Sequence, residues 1–122
     1  MLFRSAFFDD LPQVMAASHL VIARAGASTI AELTVIGRPS ILVPFPHALD
    51  QDQAANAAEL ARTGAATVVA QSAFTPQWLA AFLARALDEP AGLASAAKAA
   101  RQAAVTDAAE RLADIVEELA RA

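Results

Sequence analysis

Three short apolar runs, each handing over to a longer stretch of helical periodicity, constrain the fold of this chain more than any other feature. The runs are His19-Leu-Val-Ile-Ala-Arg24, Pro39-Ser-Ile-Leu-Val-Pro-Phe45 and Ala65-Ala-Thr-Val-Val-Ala70. They are rich in β-branched residues and do not alternate apolar with polar side chains, which predicts strands covered on both faces. Helical patterns lie over about 10–17, 28–36 and 51–63, and the last two stop at Gly37 and Gly64, as helices ending in a left-handed residue do. Strands and helices alternating in this way specify an α/β fold around a parallel sheet. Leu2 to Phe8 is a candidate fourth strand.

The second half of the chain reads as helices alone. Thr75-Pro76 supplies an N-cap and a proline for the first helical turn, opening a helix to about Asp88 with Leu79, Phe82, Leu83 and Leu87 on one stripe. An alanine-rich segment follows Pro90 over about 91–104. Thr106-Asp107 can then cap a last helix carrying Ala109, Leu112, Val116 and Leu119 on one face, a stripe that needs a surface to pack against.

Composition removes several function classes. The 122 residues suit one domain, and no linker or repeat divides them. The chain is 57% hydrophobic, yet no apolar run approaches the roughly 18 residues of a membrane span. Net charge is −4 with nine scattered Lys and Arg, so no basic face exists for nucleic acid. Cysteine is absent, which excludes disulfides, cysteine-based metal clusters and thiol catalysis. His19 and His47 lack the spacing of a metal site, and no metal or cofactor is expected. The start lacks the features of a signal peptide, which makes the cytoplasm the default location.

Chemistry is concentrated at two strand-to-helix junctions. In Arg24-Ala-Gly-Ala-Ser-Thr-Ile-Ala-Glu32 a strand ends, a turn of small residues follows, and a helix is predicted to open at Ser28-Thr29. Gly26, Ala27, Ser28 and Thr29 can form a phosphate cradle, because a helix start presents unpaired N–H groups and small residues admit a diphosphate close to the backbone. Glu32 has two readings: a carboxylate that accepts ribose hydroxyls, or the partner of Thr29 in a capping box. At the second junction, Asp50-Gln-Asp-Gln-Ala-Ala-Asn56, the amides of Gln53 and Asn56 are three apart and can read sugar hydroxyls. The alternative there makes Asp50 an N-cap with Gln53 as its capping-box partner and leaves Asn56 solvated. His47 sits on the loop between these junctions and suits packing or phosphate contact more than acid–base work. Asp9-Asp10 reads as the cap of a short helix with Pro12 in its first turn.

Phe7-Phe-Asp-Asp-Leu11, Arg24 to Glu32, Gly37-Arg-Pro-Ser-Ile-Leu-Val-Pro-Phe45 and Asp50 to Asn56 together resemble the C-terminal half of the MurG family of bacterial peptidoglycan N-acetylglucosaminyltransferases, over essentially the whole chain. The resemblance implies a Rossmann-like half-domain of a GT-B transferase that binds UDP-GlcNAc: Phe8 at the uracil, Ala27 to Thr29 at the diphosphate, Glu32 at the ribose, Gln53 and Asn56 at GlcNAc. It implies transfer of GlcNAc to lipid I, giving lipid II, on the cytoplasmic face of the inner membrane. Acceptor lipid, membrane contact and catalytic base would belong to an N-terminal domain outside residues 1–122, so the chain alone would be inactive. Further βα units would precede Met1, leaving a gap in the sheet and an open edge that invites dimerisation. A stand-alone donor-binding subunit, pairing with a separate membrane-anchored acceptor subunit, is the alternative.

Overall fold

A computed structural model describes residues 4–47 and 52–122. The element order is α1 (Leu11–Ala16), β1 (Val21–Ala23), α2 (Ala27–Ile36), β2 (Ser40–Leu42), α3 (Asp52–Arg62), β3 (Ala66–Val68), a 3-10 turn (Gln71–Ala73), α4 (Pro76–Asp88), α5 (Ala91–Ala103) and α6 (Ala108–Arg121). The three strands form one parallel sheet in the order β1-β2-β3, with Ile22 opposite Ile41 and Ile41 opposite Thr67. The expected α/β architecture with a parallel sheet is therefore present.

Burial on both faces is realised fully only in the central strand. Every residue of β2 is buried, and successive side chains point to opposite faces. Leu42 enters a core with Met15, Leu33, Ala57, Leu60 and Ala100 from α1, α2, α3 and α5. Ile41 and Val43 enter a second core with Val69, Phe74, Trp78 and Phe82, which α4 covers. The edge strands β1 and β3 are only part-buried, because each has a neighbour on one side alone. Residues 4–8 form no strand, and Phe7 is 77% exposed. A strand needs a partner ladder, and none is offered among the described residues; Leu2 and Phe3 of that predicted strand lie outside them.

Helix ends divide the predicted caps into two kinds. Thr75 accepts a hydrogen bond from Trp78 N–H at 3.1 Å, and Pro76 follows it, as expected. Asp10 and Asp107 occupy N-cap positions without capping through their side chains. Asp107 instead pairs with Arg111 at 2.9 Å. Gly37 ends α2 at φ 78°, where its N–H and that of Arg38 both reach Leu33 C=O. An added Cβ would lie 2.3 Å from Cγ of Arg101, so α5 also closes on this glycine. The last helix keeps its stripe uncovered, with Leu112 63% and Leu119 71% exposed.

Candidate functional site

Because the strands are parallel, the turn after β1 and the loop after β2 open on the same edge of the sheet, where open α/β folds receive ligands. The turn Arg24-Ala25-Gly26 leads directly into α2. Gly26 is its N-cap, at φ −66° and ψ 148°, and no side chain among the described residues caps the helix. The first intrahelical bond runs from Ile30 N–H to Gly26 C=O at 3.0 Å. The N–H groups of Ala27, Ser28 and Thr29 precede that bond, so no helical carbonyl takes them, and they sit at the positive end of the helix dipole. Among the described residues, a Cβ added to Gly26 would meet nothing within 4 Å. Neither backbone conformation nor packing requires glycine at this position.

Side chains from elsewhere hold the turn in place. Ala25 is fully buried. Its N–H donates to Gln53 Oε1 at 3.4 Å, the same oxygen accepts Phe45 N–H at 2.9 Å, and Asn56 Nδ2 donates to Ala25 C=O at 3.1 Å. Arg24 Nη1 donates to Val43 C=O at 3.2 Å and to Pro44 C=O at 3.5 Å. Its guanidinium also lies 5.4 Å from the centroid of the Phe45 ring, a cation–π distance. His47 meets Phe45 edge-on with centroids 5.7 Å apart. Both loops are thereby tied to each other and to α3.

The structure brings Gly26, Ala27, Ser28, Thr29 and Glu32 onto the first turns of one helix and sets Gln53 and Asn56 beside the turn that feeds it. Ser28 and Glu32 are one helical turn apart and share a face. The capping-box reading of Thr29 and Glu32 is overturned. The helix starts two residues before Thr29, so Thr29 is the third helical residue and cannot be its cap. Among the described residues, Glu32 makes no hydrogen bond through its carboxylate. The reading that leaves Asn56 solvated also fails, since Asn56 is half-buried and bound to Ala25. Asp50 lies outside the described residues. Phe8 is 38% exposed in the irregular segment before α1, and no hydrogen bond joins it to α2 or α3.

Ala25 reads in the sequence only as one of the small residues of the turn, and the side chain of Arg24 carries no signal, although both lie in the motif. Their contacts reach 19 to 31 residues along the chain, and no local pattern marks them. A cavity of about 350 Å³ runs between α2 and α3, lined by Ala27, Ile30, Thr34, Asn56, Leu60 and Val105 among others. It reaches Ala27 and Asn56 but not Ser28, Thr29, Glu32 or Gln53, so among the described residues most of the cradle lies outside it. Among the described residues, no three His, Asp or Glu side chains are grouped as metal ligands would be.

The profile of the glycosyltransferase family 28 C-terminal domain matches residues 3–112. The chain belongs to that family. It is 61% identical over 116 residues, 95% of its length, to the UDP-N-acetylglucosamine--N-acetylmuramyl-(pentapeptide) pyrophosphoryl-undecaprenol N-acetylglucosamine transferase of Methylorubrum populi. It is 58% identical over 114 residues to the protein of the same description from Brucella canis. The crystal structure of Acinetobacter baumannii MurG superposes with a TM-score of 0.82 at 35% identity over 92% of the chain. The spinosyn forosaminyltransferase SpnP gives 0.63 at 28% identity over 90%. The family 28 chain spans 31% of the length of the Methylorubrum protein and 33% of the Acinetobacter one. The resemblance that the sequence motifs carry is thus matched by profile, sequence and fold.

Proposed function

We propose that this chain is the UDP-GlcNAc-binding part of an N-acetylglucosaminyltransferase that acts on lipid I in peptidoglycan synthesis. The observation that carries the reading is the uncapped start of α2, with Gly26 beside open space and the N–H groups of Ala27, Ser28 and Thr29 unused by the helix. The names of its long relatives supply the donor, UDP-N-acetylglucosamine, and the lipid acceptor. A diphosphate seated there would have its charge stabilised by backbone dipoles already in place, both on binding and as UDP departs. Glu32, one turn up the helix, would accept ribose hydroxyls, Gln53 and Asn56 would meet GlcNAc hydroxyls, and Phe8 would lie at the uracil.

An open cradle needs a second wall. In this reading the wall, the acceptor site, the membrane contact and the base that deprotonates the acceptor hydroxyl belong to a further domain of the kind the longer relatives have room for. The chain is then a partial donor domain on the cytoplasmic side, active only with that domain. No described helix is long and apolar enough to cross a membrane. The open edge of β1 and the bare stripe of α6 support self-association of the chain by itself, which sedimentation at increasing concentration measures.

The test is calorimetric titration of the chain with UDP-GlcNAc and UDP, followed by an assay for GlcNAc transfer to lipid I. Binding of both nucleotides without transfer is expected. No binding at millimolar nucleotide would sink the donor reading, and steady turnover by the chain alone would sink its dependence on a second domain.

A further inference from the structure

Both backbone polar groups of Ala25 are held by one face of α3. Its N–H goes to Gln53 Oε1 and its C=O takes Asn56 Nδ2. Ala25 has no exposed surface, and it follows the last ladder pair of β1, Ala23 with Leu42. Sheet bonding therefore does not reach it. Removing either amide would leave a buried backbone group unpaired, which costs far more than the bond contributes net. Gln53 Oε1 also accepts Phe45 N–H, so one atom joins the turn before α2 to the loop after β2.

We infer that Gln53 is a positioning residue that preorganises the diphosphate cradle through Ala25, so that binding of UDP, which lacks the transferred GlcNAc, depends on it. This rests on the donor-binding reading above. It differs from the sugar contact proposed there, which would leave binding of UDP untouched by substitution. The geometry also fixes the polarity of both amides. Two N–H donors face Gln53 Oε1, so only Nε2 remains to a ligand, as a donor. The C=O of Ala25 faces Asn56 Nδ2, so Oδ1 remains, as an acceptor. Such a pair suits a hydroxyl, which donates and accepts at once.

The test compares the chain with Gln53→Met, which keeps shape but removes the acceptor, and Gln53→Glu, which keeps an acceptor and removes the donor. Amide hydrogen exchange at Ala25 and Phe45 is read against Val43, whose N–H is held by Ala23 C=O instead. In Gln53→Met, exchange at Ala25 and Phe45 should quicken at least tenfold with Val43 unchanged, and UDP affinity should fall about tenfold, as loss of one or two hydrogen bonds implies. Gln53→Glu should restore slow exchange; its charge would repel a diphosphate, so it is read by exchange alone. If Gln53→Met fails to fold, Gln53→Asn, one methylene short of its partners, is read in the same way. Unchanged exchange and UDP affinity, with loss confined to UDP-GlcNAc, would overturn the inference and leave Gln53 a sugar contact. Failure of the unsubstituted chain to bind UDP would instead overturn the donor reading, and faster exchange in Gln53→Met would still support the clamp.

Discussion

The two ends of α2 each carry a glycine, and the two are there for different reasons. Gly37 closes the helix at φ 78°, and the side chain of Arg101 fills the space where a Cβ would stand. Fold and packing both demand it. Gly26 opens the helix at φ −66°, a value open to any residue, and faces empty space. Nothing among the described residues demands it, whereas the proposed diphosphate, approaching the backbone closely, would. One helix thus shows a residue that folding explains and a residue that folding leaves unexplained, for which the proposed donor site would account.

The sharpest way to break this comparison is to add one methyl group at each end. Gly37→Ala should cost about 2 kcal/mol, since left-handed backbone alone costs a non-glycine residue roughly 1–2 kcal/mol and Arg101 must also move. Urea unfolding measures it. In an Arg101→Ala background the cost should shrink but not vanish, because the dihedral strain remains. Gly26→Ala should change stability little, because the unfolded-chain gain of about 0.4–1 kcal/mol is offset by alanine's poorer fit to an N-cap. The same substitution should weaken UDP about tenfold, equivalent to roughly 1.4 kcal/mol. If Gly26→Ala destabilises the chain and leaves UDP affinity intact, the two glycines are alike and the comparison fails.

The same contrast explains what could be read from the sequence. The three strands, the stop at Gly37 and the cap at Thr75 were legible because each rests on local chemistry: β-branched runs, a left-handed stop, a hydroxyl before proline. Thr29 followed three residues later by Glu32 has the spacing of a capping box, one of the two readings open for Glu32, and the structure removes that one. The helix extends back through Ser28 to Ala27, a strong helix former, so the hydroxyl that looked like a cap falls inside it. The strand expected up to Phe8 failed for a different reason: strand propensity without a neighbouring ladder forms no strand. The clamp on Ala25 was beyond reach, because Gln53 lies 28 residues away and its amide spacing fits a cap equally well.

Thr75 and Gly26 offer a second pair, one helix start with a side-chain cap and one without. Thr75→Ala should cost about 1 kcal/mol by orphaning Trp78 N–H, with no effect on UDP binding. Gly26→Ser places a cap where α2 has none, and should gain a few tenths of a kcal/mol in stability. Its hydroxyl would occupy the N–H groups that a diphosphate needs, so UDP affinity should fall. A Gly26→Ser chain that binds UDP as well as before would show that those N–H groups are not the cradle.

Ser40 tests whether a residue the fold does not require is functional for that reason alone. It begins β2, at the end of the strand away from the cradle, and its hydroxyl is buried with no hydrogen-bond partner among the described residues. An unpaired buried hydroxyl is a net cost, so Ser40→Ala should raise stability by about 0.5 kcal/mol, within the range for relieving such a group after losing a little packing. UDP affinity should not change. The effect is small and confined to stability, and it separates two causes that Gly26 combines. If Ser40→Ala weakens UDP, being unexplained by folding is no guide to where the ligand sits. If it does not, the open space beside Gly26 is what marks that residue, together with the backbone N–H groups that follow it.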